Sequence, residues 1–244
     1  MKTNTSFAIL TGGCNEGPPK PPAATEEYLA IASIFSAETG SIGIVIYQIP
    51  NCAPPAPALR ARPPTLMPPS RPSAERLCRS RAIPPAGKIV YPSDPARRPR
   101  DEDAMIAWAW RQYLLAPNAS RDPRWLPRFP MVKAGMQCMR ASTEYLAKAD
   151  IAKVDGWVVG GASKRGWTSW MVGAVDCPTC VPIVGLFPLV PIVPQLRASV
   201  HLQRRSLGGF TFAFRDYLDA GILPLMDSDA FSGLLDLVDP AAAR

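Results

Sequence analysis

Short apolar runs in this chain alternate with longer stretches in which apolar residues recur at helical spacing. Apolar, β-branched runs are typical of strands that are covered on both faces, as in a parallel sheet. Such runs predict strands at residues 7–10, 42–47, 157–159 and within 181–190. The first run ends in Thr-Gly-Gly at residues 11–13, which predicts a turn directly after the strand.

Stretches with helical spacing lie between these predicted strands. One begins after Thr25, a residue type that caps helices well, and ends at Gly40. A second follows Asp101 in the same way. A third places Pro130 at its first position, where proline is well tolerated. A fourth extends from about residue 164 to residue 175.

The order of these elements is strand, helix, strand, two helices, strand, helix, strand. Such an alternation predicts right-handed crossovers and a mostly parallel sheet with helices on both faces. The sequence therefore predicts an α/β fold.

Composition adds one unusual segment to this picture. The chain has 244 residues, of which 47% are hydrophobic and 19% are charged, so a packed core is expected. Residues 52–90 contain 10 of the 29 prolines, seven of the 27 basic residues and one of the 20 acidic residues. Most of the formal charge of +7 is therefore concentrated there, and the rest of the chain is nearly neutral. The segment shows no periodicity and is predicted to be disordered.

A basic chain first suggests a nucleic-acid partner. The arginines of residues 52–90 are not interleaved with aromatic residues, however, so no nucleic-acid partner is predicted. No membrane span is predicted either, because the longest apolar run, residues 181–193, is too short and contains three prolines. Too few apolar residues follow Lys2 for a signal peptide, and no compartment is predicted.

Two of the six cysteines, Cys177 and Cys180, form a Cys-x-x-Cys motif. Such a motif is either redox-active or half of a zinc site. Zinc needs two further cysteine or histidine ligands, and His201 is the only histidine, so no metal site is predicted. The preferred interpretation is that both cysteines are small residues at the start of a strand.

One motif carries chemistry: Gly-Gly-Ala-Ser-Lys-Arg-Gly at residues 160–166, between a predicted strand and a predicted helix. A serine on such a turn is typical of a nucleophile elbow, whose strained backbone needs small neighbours such as Gly161. The general pattern has a second glycine two residues after the serine, but that position is Arg165 here, and Gly166 follows it. From spacing alone, Ser163 is equally well explained as a nucleophile or as a helix N-cap.

A nucleophile elbow also needs backbone N–H donors from a loop after an earlier strand, which bind the oxyanion. Thr11, Gly12 and Gly13 occupy that position in the chain. A structural turn without any ligand explains these three residues equally well.

Several blocks of the sequence resemble the PhoPQ-activated pathogenicity-related protein family, which includes the autocrine proliferation repressors. The most specific block is Gly-Ala-Ser-Lys-Arg-Gly-Trp-Thr at residues 161–168, where Lys-Arg after the serine follows the family pattern. The resemblance covers most of residues 7–51 and 91–240. The other blocks are residues 10–15, 39–51, 102–104, 125–133, 205–209 and 214–217.

This resemblance implies an α/β-hydrolase fold. It also implies a serine hydrolase that cleaves an ester or amide bond in a small molecule or peptide, without a cofactor. Ser163 would be the nucleophile of this reaction. The backbone N–H groups of Gly12, Gly13 and Lys164 would form the oxyanion hole.

The chain departs from the family in two places, and these set the predicted domain boundaries. Residues 1–51 and 91–244 would be two parts of one hydrolase-like domain, and residues 52–90 an insertion without a counterpart in the family. A disordered loop and retained intron sequence would both explain this insertion, and retained intron sequence is the preferred hypothesis. Family members also continue past the equivalent of Pro240 into strands that carry an acid and a histidine, so the domain would be truncated at its C-terminal strands.

The catalytic triad is consequently incomplete in the sequence. His201 comes too soon after Ser163 to be the expected base. Without a base, a serine hydroxyl is a weak nucleophile. Four later acids are of the right type but are interpreted as solvated or capping residues: Asp216, Asp219, Asp227 and Asp229.

An alternative function is that of a non-catalytic, secreted signalling protein of the proliferation-repressor type, built on a hydrolase scaffold. The glycosylation sequon at residues 118–120 fits this function if the chain is exported. Neither hypothesis predicts an oligomeric state.

Overall fold

A computed structural model describes residues 4–12, 27–47, 89–175, 177–189 and 194–242. The strands within these ranges are β1 (Thr5–Leu10), β2 (Gly43–Ile46), β3 (Ile89–Val90), β4 (Pro99–Arg100), β5 (Gly156–Ala162) and β6 (Ile183–Leu189). Four of them form one sheet in the order β2-β1-β5-β6, and all three neighbouring pairs are parallel. The other two, β3 and β4, form a short antiparallel ladder.

Helices connect the strands of the sheet and follow its last strand. In the described ranges they are α1 (Glu27–Thr39), α2 (Glu102–Leu115), α3 (Arg128–Lys148), α4 (Lys164–Ala174), α5 (Leu196–Leu207), α6 (Arg215–Asp219) and α7 (Asp229–Val238). Single 3₁₀ turns lie at Asn118–Ser120, Pro123–Trp125, Phe212–Phe214 and Leu223–Leu225. None of the helices in this part of the chain is long and apolar enough to cross a membrane.

Helices cover both faces of the four-stranded sheet, and β1 shows why. Successive side chains of a strand point to opposite faces. Phe7 and Ile9 pack with Leu29 of α1 in one buried cluster. Ala8 and Leu10 belong to a second cluster, which contains residues of α3 and α4. The predicted α/β class, with a mostly parallel sheet, is therefore confirmed.

A third apolar cluster joins α2 to α5, α6 and α7. At its centre, the ring of Trp110 lies 5.8 Å from Trp167, 5.4 Å from Tyr217 and 6.1 Å from Phe231, measured between ring centroids in edge-to-face pairs. Such pairs are favourable beyond the area that they bury. The indole N–H of Trp167 also donates to the carbonyl of Val238 at 2.5 Å. The cluster therefore ties α7 to α4.

Some of the predicted elements differ from the observed ones in where they begin, how they are capped or how deeply they are buried. Pro130 is the third residue of α3 rather than its first, because α3 already begins at Arg128. Asp101 stands at the N-cap of α2, but its side chain makes no capping hydrogen bond. The strand predicted as buried within residues 181–190 is β6, which is an edge of the described sheet, and Val184 is exposed there.

Only the last two residues of the Pro/Arg-rich segment 52–90 are described, and they form β3. The rest of that segment, and with it the predicted disorder, lies outside the described residues. The predicted cap Thr25 and the predicted oxyanion residue Gly13 also lie outside them.

Replacing Gly166 by alanine is expected to destabilise the fold by about 3 kcal/mol. Gly166 lies in the first turn of α4, where the helix passes close to the sheet. An added Cβ would lie 2.8 Å from the carbonyl oxygen of Leu189 and 2.9 Å from that of Gly161. Both are backbone atoms, so α4 would have to move. Urea unfolding at neutral pH measures the loss.

Gly233→Ala is the matched control for this substitution. Gly233 lies within α7, and no atom lies within 4 Å of a Cβ added there. Alanine is favoured over glycine inside a helix, so this variant is expected to gain about 1 kcal/mol. If Gly166→Ala proved to be as stable as Gly233→Ala, the proposed steric cause would be contradicted.

Candidate active site

Ser163 lies on the turn between β5 and α4 in a backbone conformation that serine rarely adopts. Its φ is 54° and its ψ is −121°. A residue that caps a helix normally has extended backbone angles and accepts a hydrogen bond through its side chain, but Ser163 makes no such bond. The N-cap explanation of Ser163 therefore lacks its characteristic contact.

The turn is held in place by main-chain contacts. The N–H of Ser163 donates to the carbonyl of Leu189 in β6 at 2.9 Å, and its carbonyl accepts from the N–H of Trp167 at 3.0 Å. Gly161 leaves no room for a side chain, because an added Cβ would lie 2.8 Å from the carbonyl oxygen of Leu10 and 2.8 Å from Cβ of Arg165. The small residue expected two positions before the serine is thus required by packing.

Gly12 follows β1, and Ser163 follows β5, which is the parallel neighbour of β1. The carboxyl ends of parallel neighbours lie at the same edge of a sheet, so both residues belong to one edge. A Cβ at Gly12 would overlap the guanidinium of Arg165. Gly12 therefore has a steric reason to be glycine, in addition to the oxyanion role predicted for its N–H.

Four charged side chains meet beside the turn, two from α4 and two from α2. The guanidinium of Arg165 donates from both terminal nitrogens to the two carboxylate oxygens of Glu102, at 2.6 Å each. The ammonium of Lys164 pairs with Asp103 at 2.6 Å and also with Glu102. Two-point pairs of this kind fix orientation as well as position. The four residues therefore hold the first turn of α4 against the start of α2.

The carboxyl of Glu102 has a strongly shifted pKa within this cluster. Burial acts to raise the pKa, but the hydrogen bonds and charges of Arg165 and Lys164 outweigh it and lower the pKa to about 2 from 4.5. The backbone of Glu102 has a positive φ of 38°, so these pairs hold a strained residue.

Acid is therefore expected to weaken the fold through Glu102. Because its pKa is lower in the folded chain, its contribution is complete above about pH 4.5 and is lost as the pH falls towards 2. Between these limits we expect wild type to lose about 2 kcal/mol more stability than Glu102→Gln, after allowance for partial exposure. Urea unfolding across this pH range measures the difference. Glu144→Gln, which removes an exposed ion pair with Arg140, should follow the wild-type curve.

Arg128 of α3 lies beneath the same turn and is buried. One terminal nitrogen, Nη1, donates to the carbonyl of Lys164 at 2.6 Å and to the hydroxyl of Thr168 at 3.2 Å. Its guanidinium also lies over the ring of Trp167, at 4.2 Å from the centroid. Arg128 therefore supports the first turn of α4 from the side opposite to solvent. This role of Arg128 could not be predicted from the sequence, where the one signal was its position in the family-like block at residues 125–133.

A cavity of about 160 Å³ opens beside Ser163. Its polar part includes Ser163, Lys164 and Asp103. Its walls are mainly aromatic and aliphatic side chains from the third apolar cluster: Trp110, Trp167, Leu196, Val200, Phe214, Ile222, Met226 and Phe231. No histidine is among the described residues that line it.

His201 lies elsewhere on α5 and pairs with Asp227, with 2.9 Å between Nε2 and Oδ1. Asp227 is exposed in this pair, as expected of a solvated residue, and the structure adds its contact with His201. Asp219 lies 3.9 Å from Arg215 in an exposed pair, and Asp229 lies in the first turn of α7. Neither these residues nor Asp216 line the cavity beside Ser163.

Cys177 and Cys180 form a disulfide, with 5.3 Å between their Cα atoms. The interpretation of these cysteines as two small residues at a strand start is thus wrong, because spacing alone does not distinguish free from bonded cysteines. Cys138 is also disulfide-bonded. Among the described residues, no group of histidine, cysteine or acidic side chains is arranged to hold a metal ion.

Comparison with known proteins places these observations in one family. The family model for the PhoPQ-activated pathogenicity-related protein matches residues 81–243. Autocrine proliferation repressor protein A of Dictyostelium discoideum is 28% identical over 245 residues. That alignment includes 100% of this chain but 40% of the relative, so the chain spans less than half of that protein's length. No solved structure matches the chain.

Proposed function

The chain belongs to the PhoPQ-activated pathogenicity-related protein family, and on that basis we propose that it is a serine hydrolase with an α/β-hydrolase fold. It cleaves an ester or amide bond by transfer of the acyl group to Ser163 and then to water. The observation that carries this proposal is the backbone of Ser163, at φ 54° and ψ −121° on a strand-to-helix turn. Strain of this kind concentrates at reactive residues, because it presents the side chain to the substrate.

Each residue of the turn has a role in this reaction. The hydroxyl oxygen of Ser163 attacks the carbonyl carbon, and the negative charge that develops on the carbonyl oxygen is bound by backbone N–H groups. The donors proposed are those of Lys164, Gly12 and Gly13. The side chain of Lys164 is already engaged by Glu102 and Asp103, so its contribution is the main-chain N–H at the start of α4.

The proton of the Ser163 hydroxyl needs a base, and the leaving group needs that proton in return. The resemblance to the family implies a histidine and an acid on strands that follow the equivalent of Pro240. We assign the base to that histidine and not to His201. His201 does not line the cavity beside Ser163, and its Nε2 is paired with Asp227.

A fluorophosphonate probe tests the proposal. It reacts only with an activated serine, and peptide mapping should find one modified site per chain, at Ser163. Labelling elsewhere, or no labelling of the natively produced protein under conditions that label a known serine hydrolase, would contradict the proposal.

A second function, that of a non-catalytic secreted signal, has two observations in its favour. The Dictyostelium relative is named as an autocrine proliferation repressor, and the chain contains the Cys177–Cys180 disulfide. Structural disulfides persist mainly in secreted proteins. If this function is correct, purified protein added to cells of its source should slow proliferation, and Ser163→Ala should do so equally well.

A further inference from the structure

Three residues that line the cavity have buried polar atoms without a hydrogen-bond partner in the described part of the chain. These atoms are Nε1 of Trp110, Nε and Nη2 of Arg128, and Oε1 of Gln203. Buried polar groups are nearly always paired, and an unpaired one destabilises the protein. Their concentration around one cavity indicates a ligand that carries hydrogen-bonding groups of its own.

Arg128 defines the chemistry of that ligand. Its Nη1 is already used by Lys164 and Thr168, whereas Nε and the adjacent Nη2 have no acceptor. These two nitrogens form one edge of the guanidinium, with parallel N–H groups whose spacing matches the two oxygens of a carboxylate. Within the described ranges, Arg128 also takes part in no ion pair, although it is buried.

The charge of Arg128 is only partly compensated by its surroundings. Burial, together with the positive charge of Arg165, lowers the pKa of Arg128 to about 10, against the opposing effects of Tyr217 and Asp103. A buried charge without a partner is unfavourable. An anion at the free edge would supply the missing partner.

The remaining walls define the body of the ligand. They are mostly apolar and include the rings of Trp110, Trp167 and Phe231. A cavity of about 160 Å³ is close to the size of an engineered cavity of about 150 Å³ that holds benzene. A chain of five or six carbons or a single ring is therefore the expected scale.

We propose that this cavity binds a monocarboxylate with a compact apolar body, whose carboxylate accepts hydrogen bonds from Nε and Nη2 of Arg128. The apolar part lies among the aromatic walls. This binding goes beyond the proposed hydrolysis and stands whether or not Ser163 is reactive.

Titration calorimetry of the wild-type chain with hexanoate and with hexan-1-ol tests the proposal. The two probes share the apolar chain and differ in the carboxylate. Hexanoate should bind at least about tenfold more tightly, since it forms charge-assisted hydrogen bonds. Equal affinities, or no binding of hexanoate at millimolar concentration, would overturn the proposal.

Arg128→Met keeps the length of the side chain but removes the N–H donors of the guanidinium. The variant protein should therefore bind hexanoate and hexan-1-ol with equal affinity. Arg140→Met, on the exposed face of the same helix, should keep the preference for hexanoate. A preference that survives in Arg128→Met would refute the assignment to Arg128.

A measurement on wild type covers the case in which Arg128→Met does not fold. Hexanoate labelled with ¹³C at the carboxyl carbon is titrated in the bound state by NMR. Pairing with a guanidinium should hold the pKa of the bound acid below that of the free acid. A raised pKa would mean a carboxylate buried without a cation, which would rule out the proposed contact.

Discussion

Replacing Ser163 by alanine is expected to abolish labelling by a fluorophosphonate and to lower ester hydrolysis about 10³-fold or more. The hydroxyl oxygen is the atom that bonds to the acyl group in the intermediate, and the surrounding N–H donors cannot take over this role. Stability should change by no more than about 0.5 kcal/mol, because alanine keeps the same backbone strain and the hydroxyl makes no capping bond. Mass spectrometry of the labelled protein and a chromogenic ester assay measure the two effects.

Ser163→Gly separates chemistry from strain. It removes the same hydroxyl, but glycine adopts a φ of 54° without a steric penalty. This variant should be inactive and more stable than Ser163→Ala by about 1 kcal/mol. Hydrolysis that persists in both variants at the wild-type rate would place the nucleophile elsewhere.

Replacing Arg165 by methionine is expected to destabilise the chain by about 3 kcal/mol. Arg165 is buried, and its guanidinium is bonded at two points to Glu102. Its removal takes both of these hydrogen bonds away from a partly buried carboxylate, with which Lys164 still pairs. Differential scanning calorimetry and urea unfolding at neutral pH measure the loss.

Two further variants show whether the effect comes from this pair. Arg165→Lys keeps the charge but cannot bond Glu102 at two points, so it should lose an intermediate amount. The double variant Arg165→Met with Glu102→Gln should be more stable than the sum of the single losses predicts. Strict additivity in this cycle would show that the two side chains act independently.

The sequence was most informative at the turn around Ser163, because the signal there is local. A strand that meets a helix through a strained serine needs small residues nearby, and Gly161 and Gly166 both prove to be sterically required. The same reasoning predicted the strands of the sheet, whose apolar runs reflect cover on both faces. These signals could be read without the fold because a close backbone approach or a covered face restricts the residue type at each position, although the contacting atoms, such as the carbonyl oxygens of Leu10 and Leu189, lie far along the chain.

The ion pairs beside the turn could not be predicted in this way. Lys164 and Arg165 lie far along the chain from Glu102 and Asp103, and charge alone does not select a partner among 20 acidic residues. The only signal was that both pairs fall within family-like blocks.

The cavity was also beyond sequence reasoning, because the residues that line it come from six helices, α2 to α7. Asp216 and Asp219, which the sequence analysis interpreted as solvated or capping residues, both lie in α6. The sequence offered no reason to bring α5, α6 and α7 onto Trp110 of α2. Long-range packing of this kind depends on shape as much as on apolar character.

The overlap between the space above Gly12 and the guanidinium of Arg165 has a consequence for the evolution of this fold. A side chain at position 12 would force the guanidinium at position 165 to move, which would disturb its two-point pair with Glu102. The effect of a substitution at position 12 should therefore depend on which residues occupy positions 165 and 102, so that the three positions are expected to change together.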